Sequence, residues 1–303
     1  MDKQDRLAGC FWGLVVGDAL GAPIEFYPRD RHLEVRDMLS GGKFELPVGG
    51  WTDDTSMALC LAHSLIHDRN LDPADLLNRF WGWASRNEHC SGSRAIGFGQ
   101  NTLRSLSRFN RTGQLVASSN GRSSDGNGTI MRLAPLPIVH NEDLQTIRHL
   151  ARTQSYTTHA SQKAADCCEL LSIILHRLFQ RVPFEESYRV TETTAWDPEV
   201  IALANGSWTQ KSRDEISSEG YVVYTLEAAL WSVHTTNSFE EALIKAVNLG
   251  HDADTVGAVT GQIAGALYGV QSIPARWKDV LVKSDHLENT LNSLLTVSDG
   301  WAV

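Results

Sequence analysis

Two short acidic stretches carry the most chemistry in this sequence: Thr52-Asp53-Asp54-Thr55 in "GGWTDDTSMALC" and Asp252-Ala253-Asp254-Thr255 in "GHDADTVGAVTGQIAGALYG". Each combines two aspartates with threonine at the mouth of an apolar, helix-forming run. Aspartate and threonine are good N-caps, and carboxylates suit a first helical turn. Either stretch alone therefore reads as helix capping. The pair says more. If the two helices pack side by side, Asp53, Asp54, Asp252 and Asp254 converge, and bare carboxylates at that density raise one another's pKa. A divalent cation relieves the conflict. Carboxylate and hydroxyl oxygens are hard donors, and neither stretch contains cysteine next to its acids, so Mg²⁺ or Mn²⁺ suits them better than Zn²⁺ or copper. Four aspartates and two threonines suffice for two ions, which in such centres lie about 3.5–4 Å apart.

Other residues are candidates for work on a ligand. Glu25, just past a Gly-Ala-Pro break in "DALGAPIEF", could serve as a general acid or base, or could be an exposed loop residue. Gly126, Asn127 and Gly128 precede an apolar segment, where successive N–H groups could form an anion nest at a helix start; as a bare turn they are unspecific. His159 in "SYTTHA" could hydrogen-bond a sugar or be structural. Ser218, Gly220 and Tyr221 in "SSEGYVVY" are further candidates, Tyr221 either stacking on a base or packing in the core.

The elements that must position these groups are helical. Residues 54 to 67 place Met57, Leu61 and Leu65 on one stripe, and 162–180, 221–234, 238–249, 255–269 and 286–296 show the same period. Alternating strand patterns are scarce, and "EVRDM" around Val35 is too short to count. The spacing predicts an all-α fold. Gly9, Gly13, Gly17 and Gly21 recur every fourth residue, as do Gly257, Gly261 and Gly265. Residues four apart share a helix face. Each glycine weakens a helix by roughly 1 kcal/mol relative to alanine, so two such seams predict helices whose backbones approach closely. Residues 119–128 and 205–220 read as loops over a site.

Composition limits the function. The chain has 303 residues, 42% hydrophobic and 21% charged, with net charge -9. An acidic surface argues against general nucleic-acid binding and against adhesion to anionic membranes. "LAGC" ending at Cys10 follows only "MDKQDR", which is no signal peptide, and the glycine-laced run after it reads as a helix of the fold. Val256 to Val270 is too short to cross a bilayer. The 5 cysteines lack metal spacing and read as reduced, mostly buried thiols in a cytoplasmic protein.

Taken together, "GLVVGDALGAPIEF", "GGWTDDTSMAL", "GNGTIMRLAPL", "TTHA", "EGYVVYTLEAAL" and "NLGHDADTVGAVTGQIAGALYG" resemble the ADP-ribosylglycohydrolases, collinearly from about residue 5 to 270. The resemblance implies an all-α fold, a compact single-domain orthogonal helical bundle over residues 1–303 with a central two-metal cleft, holding two Mg²⁺ or Mn²⁺ ions. Thr52, Asp53 and Asp54 match the ligands of one ion, Asp252 and Thr255 those of the other, and Asp254 the bridging position. Glu25 stands where the family has a glutamate beside the scissile bond, so Glu25, Asp54 and Asp254 carry the catalysis on this reading. Gly126, Asn127 and Gly128 match a diphosphate-holding loop; His159 and Tyr221 match positions around ribose and adenine. The implied activity is metal-dependent hydrolysis at the ribose anomeric carbon of an ADP-ribosylated acceptor, with ADP-ribose as product and a monomer as the expected state. Cleavage of a free ADP-ribose derivative and non-catalytic ADP-ribose binding are the alternatives. Two departures stand out. Arginine-directed members often carry an aspartate where Ala95 stands in "SRAIGFG", and His251 replaces a usual glycine.

Overall fold

The structure, a computed structural model, describes residues 2–119, 121, 123–191 and 195–300. Positions 120 and 122 of the expected 119–128 loop lie outside the described residues. Fourteen α-helices form among the described residues, and no strand: α1 (Lys3–Gly21), α2 (Asp53–His67), α3 (Pro73–Arg86), α4 (Gln100–Thr112), α5 (Pro135–Val139), α6 (Leu144–Thr158), α7 (Gln162–Phe179), α8 (Phe184–Ser187), α9 (Pro198–Ala204), α10 (Val222–His234), α11 (Phe239–Val247), α12 (Ala253–Tyr268), α13 (Ala275–Lys278) and α14 (Ser284–Ser298). The segment around Val35 is irregular, as its short pattern suggested.

The glycine seams face each other. A Cβ added to Gly13 would lie 2.0 Å from the Gly261 carbonyl oxygen, and one added to Gly261 only 1.9 Å from that of Gly13. Gly9 meets Gly265 and Gly17 meets Gly257 in the same way, and Gly21 meets Ala253. The pairing runs in opposite directions along the two helices, so α1 and α12 are antiparallel, held at backbone contact. From Gly9 to Gly21 every residue of α1 is buried. Residues Lys3–Ile24 are long and apolar enough to cross a membrane, yet 94% of their most apolar 18-residue stretch is buried within the protein. A helix apolar all round is the mark of a core helix as much as of a span.

The seam decides where the site lies. It delivers the last turn of α1 to the first turn of α12. Pro23 then stops α1, and a short 3₁₀ turn, Ala22–Ile24, places Glu25 beside the start of α12. The remaining faces of α12 are covered by α7, α10 and α11, while α3, α5 and α14 pack on α2.

Candidate active site

Asp18, in the last turn of α1, assembles the site. It is a fully buried carboxylate in an otherwise apolar stretch. It accepts from the Thr52 and Thr55 backbone N–H groups at 3.0 and 2.9 Å and from their hydroxyls at 2.9 and 2.7 Å. The start of α2 is therefore capped from another helix. Thr52 makes no side-chain cap bond of its own, and neither does Asp252 at the start of α12. Freed of capping, Asp53 and Asp54 project from α2 toward the start of α12.

The two acidic stretches converge there. Thr52 Oγ1 lies 3.2 Å from Asp254 Oδ2, and Thr255 Oγ1 donates to Asp54 Oδ2 at 3.3 Å. Glu25, Asp252 and Asp254 each bring a carboxylate oxygen within 4.8 Å of the others. Asn127 Nδ2 holds Asp252 Oδ2 at 2.6 Å and donates also to Thr225 Oγ1 at 2.9 Å. Gly97, with φ +79°, lays its backbone against Asp53, where a Cβ would come within 1.8 Å of Oδ1. Burial, then mutual repulsion, drives Asp53, Asp54 and Asp254 well above the usual carboxylate range. Burial also raises Asp18 and Asp252. Burial, with Asp254, Asp252 and Asp53 nearby, pushes Glu25 up to about 12. Asp54 Oδ1 and Glu25 Oε2 are buried with no hydrogen-bond partner. Crowded, partly orphaned carboxylates with threonine hydroxyls among them fit hard divalent cations. Thr52, Asp53, Asp54, Asp252, Asp254 and Thr255 are the residues that would hold them.

This cluster floors a cleft of about 650 Å³. Its walls include Lys43, Phe44 and Arg94 on one side and Gly126, Asn127, Gly128, His159 and Gly220 on another. His159 packs against the two glycines; a Cβ on Gly126 would lie 3.2 Å from its Nε2 and one on Gly128 3.1 Å from its Cε1. The ring is held from behind. The buried Arg132 donates to Thr158 Oγ1 at 2.9 Å, and Thr158 Oγ1 hydrogen-bonds His159 Nδ1, also at 2.9 Å. That contact fixes the ring's orientation and leaves Nε2 on the side of Gly126. Burial, then the Arg132 charge, lowers His159 to about 3, so the ring is neutral.

Several expectations take a different form. No helix begins at Gly126–Gly128: residues 128–132 are turns and α5 starts only at Pro135. The Asn127 N–H is committed to the Gly220 carbonyl at 3.2 Å, so Asn127 acts through its side chain on Asp252. Ser218 faces inward; its hydroxyl donates to the Leu249 carbonyl at 3.0 Å and its own carbonyl accepts from the Asp252 N–H at 3.0 Å. The Tyr221 hydroxyl donates to Glu199 at 2.7 Å and accepts from Lys163 at 2.6 Å, and its ring packs edge-on against Tyr224, away from the cleft lining. Ala95 lines the cleft, with its N–H bonded to Asn87 Oδ1 at 3.0 Å. His251 adopts φ +57°, the left-handed region glycine prefers, pinned by bonds of its N–H to Tyr27 O and its carbonyl to Phe26 N–H. Sequence reasoning missed Asp18 and Arg132. Both are charged residues inside apolar helical or near-helical runs, which is itself a signal because such groups are rarely buried unpaired.

With the geometry in hand, similarity to known proteins is informative. The family model described as ADP-ribosylglycohydrolase matches residues 1–302. An ADP-ribosylarginine hydrolase Tri1 of Pseudomonas putida (strain GB-1) is 40% identical, over 96% of this chain and 78% of that protein. An ADP-ribosyl-[dinitrogen reductase] glycohydrolase of Rhodospirillum rubrum is 32% identical, over 90% of this chain and 89% of that one. A solved structure titled "ADP-ribosylglycohydrolase-related protein complex" superposes with a TM-score of 0.87 at 38% identity, covering 98% of this chain and 99% of the other. The chain belongs to the ADP-ribosylglycohydrolase family.

Proposed function

We propose that the protein is a divalent-metal-dependent hydrolase that releases ADP-ribose from a modified acceptor, arginine-linked acceptors included, by cleavage at the ribose anomeric carbon. The observation that carries this reading is the carboxylate cluster of Glu25, Asp252 and Asp254, within 4.8 Å of one another beneath an open cleft. The relatives named as ADP-ribosylarginine hydrolases support the acceptor class. Cleavage of such a bond passes through an oxocarbenium-like state, in which charge builds on the sugar. Two Mg²⁺ or Mn²⁺ ions, when bound, supply Lewis-acid polarisation and a more acidic water.

The chain's own residues supply the rest. Glu25 sits on the cleft floor beside Asp252 and Asp254, placed to assist proton transfer at the scissile bond. The neutral His159 ring lines the cleft and offers Nε2 as a hydrogen-bonding partner to ribose or diphosphate. Lys43 and Arg94 at the wall offset the acidic field around a doubly anionic ligand. Asn127 and the Ser218 carbonyl hold Asp252 in place from its side chain and its backbone. Five free, buried thiols support a reducing, cytoplasmic setting, with a monomer as the working unit.

The test is a panel of arginine-, serine- and nucleic-acid-linked ADP-ribose conjugates, each with Mg²⁺, with Mn²⁺ and after chelation. Release of ADP-ribose that chelation abolishes and metal restores is the expected result. Tight ADP-ribose binding with no turnover on any conjugate would refute the enzymatic reading.

A further inference from the structure

Away from the cleft, three histidines from three separate elements meet. His63 lies late on α2, His89 in the segment after α3, and His286 on α14. Their ring centroids are 4.8 Å apart for His63 and His89, 5.2 Å for His89 and His286, and 5.8 Å for His63 and His286. One nitrogen of each lies within 4.8 Å of one nitrogen of each of the others. His89 Nδ1 and His286 Nε2 are already 3.0 Å apart. Nitrogens around a tetrahedral ion with metal–nitrogen distances of about 2.0–2.1 Å stand about 3.4 Å from one another. The ring planes lie 22°, 13° and 9° from parallel for the pairs 63/89, 63/286 and 89/286, so to share one ion the rings close in by about an ångström and turn about χ2, a soft torsion, to aim their in-plane lone pairs at a common point.

We propose that His63, His89 and His286 form a second metal site, for a borderline transition ion such as Zn²⁺, distinct from the acidic centre. The donor chemistry selects that class: imidazole suits Zn²⁺, Co²⁺ and Ni²⁺, whereas Mg²⁺ and Mn²⁺ prefer oxygen. The rings are neutral and offer lone pairs. Burial, then the neighbouring His286, lowers His63 to about 4; burial, then His63, lowers His89 to about 3. All three are half-buried, which leaves a fourth position for water.

The backbone holds the site ready. His89 sits at φ +59°, a conformation that costs a non-glycine residue energy, and its carbonyl accepts from Trp51 Nε1 at 3.2 Å. His63 lies ten residues along α2 from Asp53, about 15 Å at 1.5 Å per residue, so the two centres share no ligand. Of the nearby cations, Arg79 is paired with Asp75 at 2.7 Å. Lys283, whose ammonium bonds the Cys90 carbonyl, opposes a bound cation. An ion here would tie α2 and α14 to the segment after α3. That segment continues to Ala95 and Gly97 on the cleft wall, so the ion would brace the wall from behind.

Metal-stripped full-length protein, held in saturating Mg²⁺, is titrated with Co²⁺ as a spectroscopic probe and then with Zn²⁺. One equivalent of Co²⁺ with visible absorption of a four-coordinate nitrogen site is expected, displaced by Zn²⁺ and accompanied by a higher Tm. The band should persist in Asp254→Ala, which removes an acidic ligand. It should vanish in His286→Ala and in the milder His286→Gln, with helical circular dichroism and Mg²⁺-dependent turnover retained. Tighter Co²⁺ binding in Lys283→Gln supports the site. Absence of the band in the wild type, or its survival in His286→Gln and His89→Gln alike, overturns the proposal.

Discussion

Gly261→Ala should destabilise the protein, although helix propensity argues the opposite. In an isolated helix the change is worth about 1 kcal/mol in favour of alanine. Here the new Cβ would stand 1.9 Å from the Gly13 carbonyl oxygen and 2.4 Å from its carbon. A carbon–oxygen contact settles at about 3.3 Å or more, so α1 and α12 must part by roughly 1.4 Å. The obstacle is backbone, which cannot swing aside as a long side chain can. Overpacking typically costs about 1–3 kcal/mol, and this case belongs at the upper end, leaving a net loss of about 2 kcal/mol after the propensity gain. The assay is urea unfolding, with a lower midpoint and an unchanged slope. Gly92→Ala is the control, since a Cβ there meets nothing within 4 Å. Parting the helices also draws Glu25 away from Asp252 and Asp254, so the concentration of Mg²⁺ needed for half-maximal turnover should rise. Gly13→Ala combined with Gly261→Ala should cost less than the two separately, because the first change has already opened the seam. A Gly261→Ala protein as stable as the wild type would refute close approach and the delivery of Glu25 that depends on it.

Asp254→Ala, at the crossing of both acidic stretches, should lose most bound Mg²⁺ and most turnover; equilibrium dialysis showing two ions retained with full activity would contradict the assignment. Ala95→Asp should raise kcat/KM for arginine-linked substrate more than for serine- or ester-linked ones at fixed Mg²⁺, by a charge-assisted contact of order 1.5–3 kcal/mol; a wild type that already cleaves only arginine-linked ADP-ribose, and a variant that changes nothing, would remove position 95 as a selector. His159 gives a pH prediction. Its folded pKa, about 3, lies below the ordinary value of 6.5, so between those values the unfolded chain binds more protons and stability falls as pH drops. At pH 5 this amounts to at most about 2 kcal/mol. His159→Gln should flatten that part of the stability–pH curve between pH 7 and 5, and an unchanged slope would show that the ring is not held neutral.

What the sequence made legible was chemistry carried by residue type and spacing. Two aspartates beside threonine, twice, point to a hard-cation site provided their helices pack side by side, and glycines every fourth residue point to a seam. What it hid was direction. Gly126-Asn127-Gly128 invites a backbone nest, but pairing with Gly220 uses the Asn127 N–H and turns its amide toward Asp252. Ser218 and Tyr221 share a motif with Gly220, yet only Gly220 lines the cleft, because a side chain's face depends on the local turn. Asp18 was readable as an anomaly, a carboxylate in a core helix, but its role of capping α2 from another element exists only in three dimensions. Single histidines at 63, 89 and 286 carry no pattern at all until the helices bring them together.

The antiparallel seam has a consequence for synthesis. α1 leaves the ribosome well before its partner α12, which begins only at Ala253. At about 5–20 residues per second, α1 waits roughly 10–50 s for the surface it is built to meet. During that interval a helix that is apolar from Leu7 to Gly21, save for Asp18, is open to every other helix the chain produces. Its row of glycines makes a groove that admits only a partner equally bare of side chains. Helices α2, α6, α7 and α10 contain no glycine and would meet it with bulkier residues, unable to bring their backbones as close. The geometry that fixes the final position of Glu25 thus also acts as a filter in time, keeping the first helix available until the right one is made.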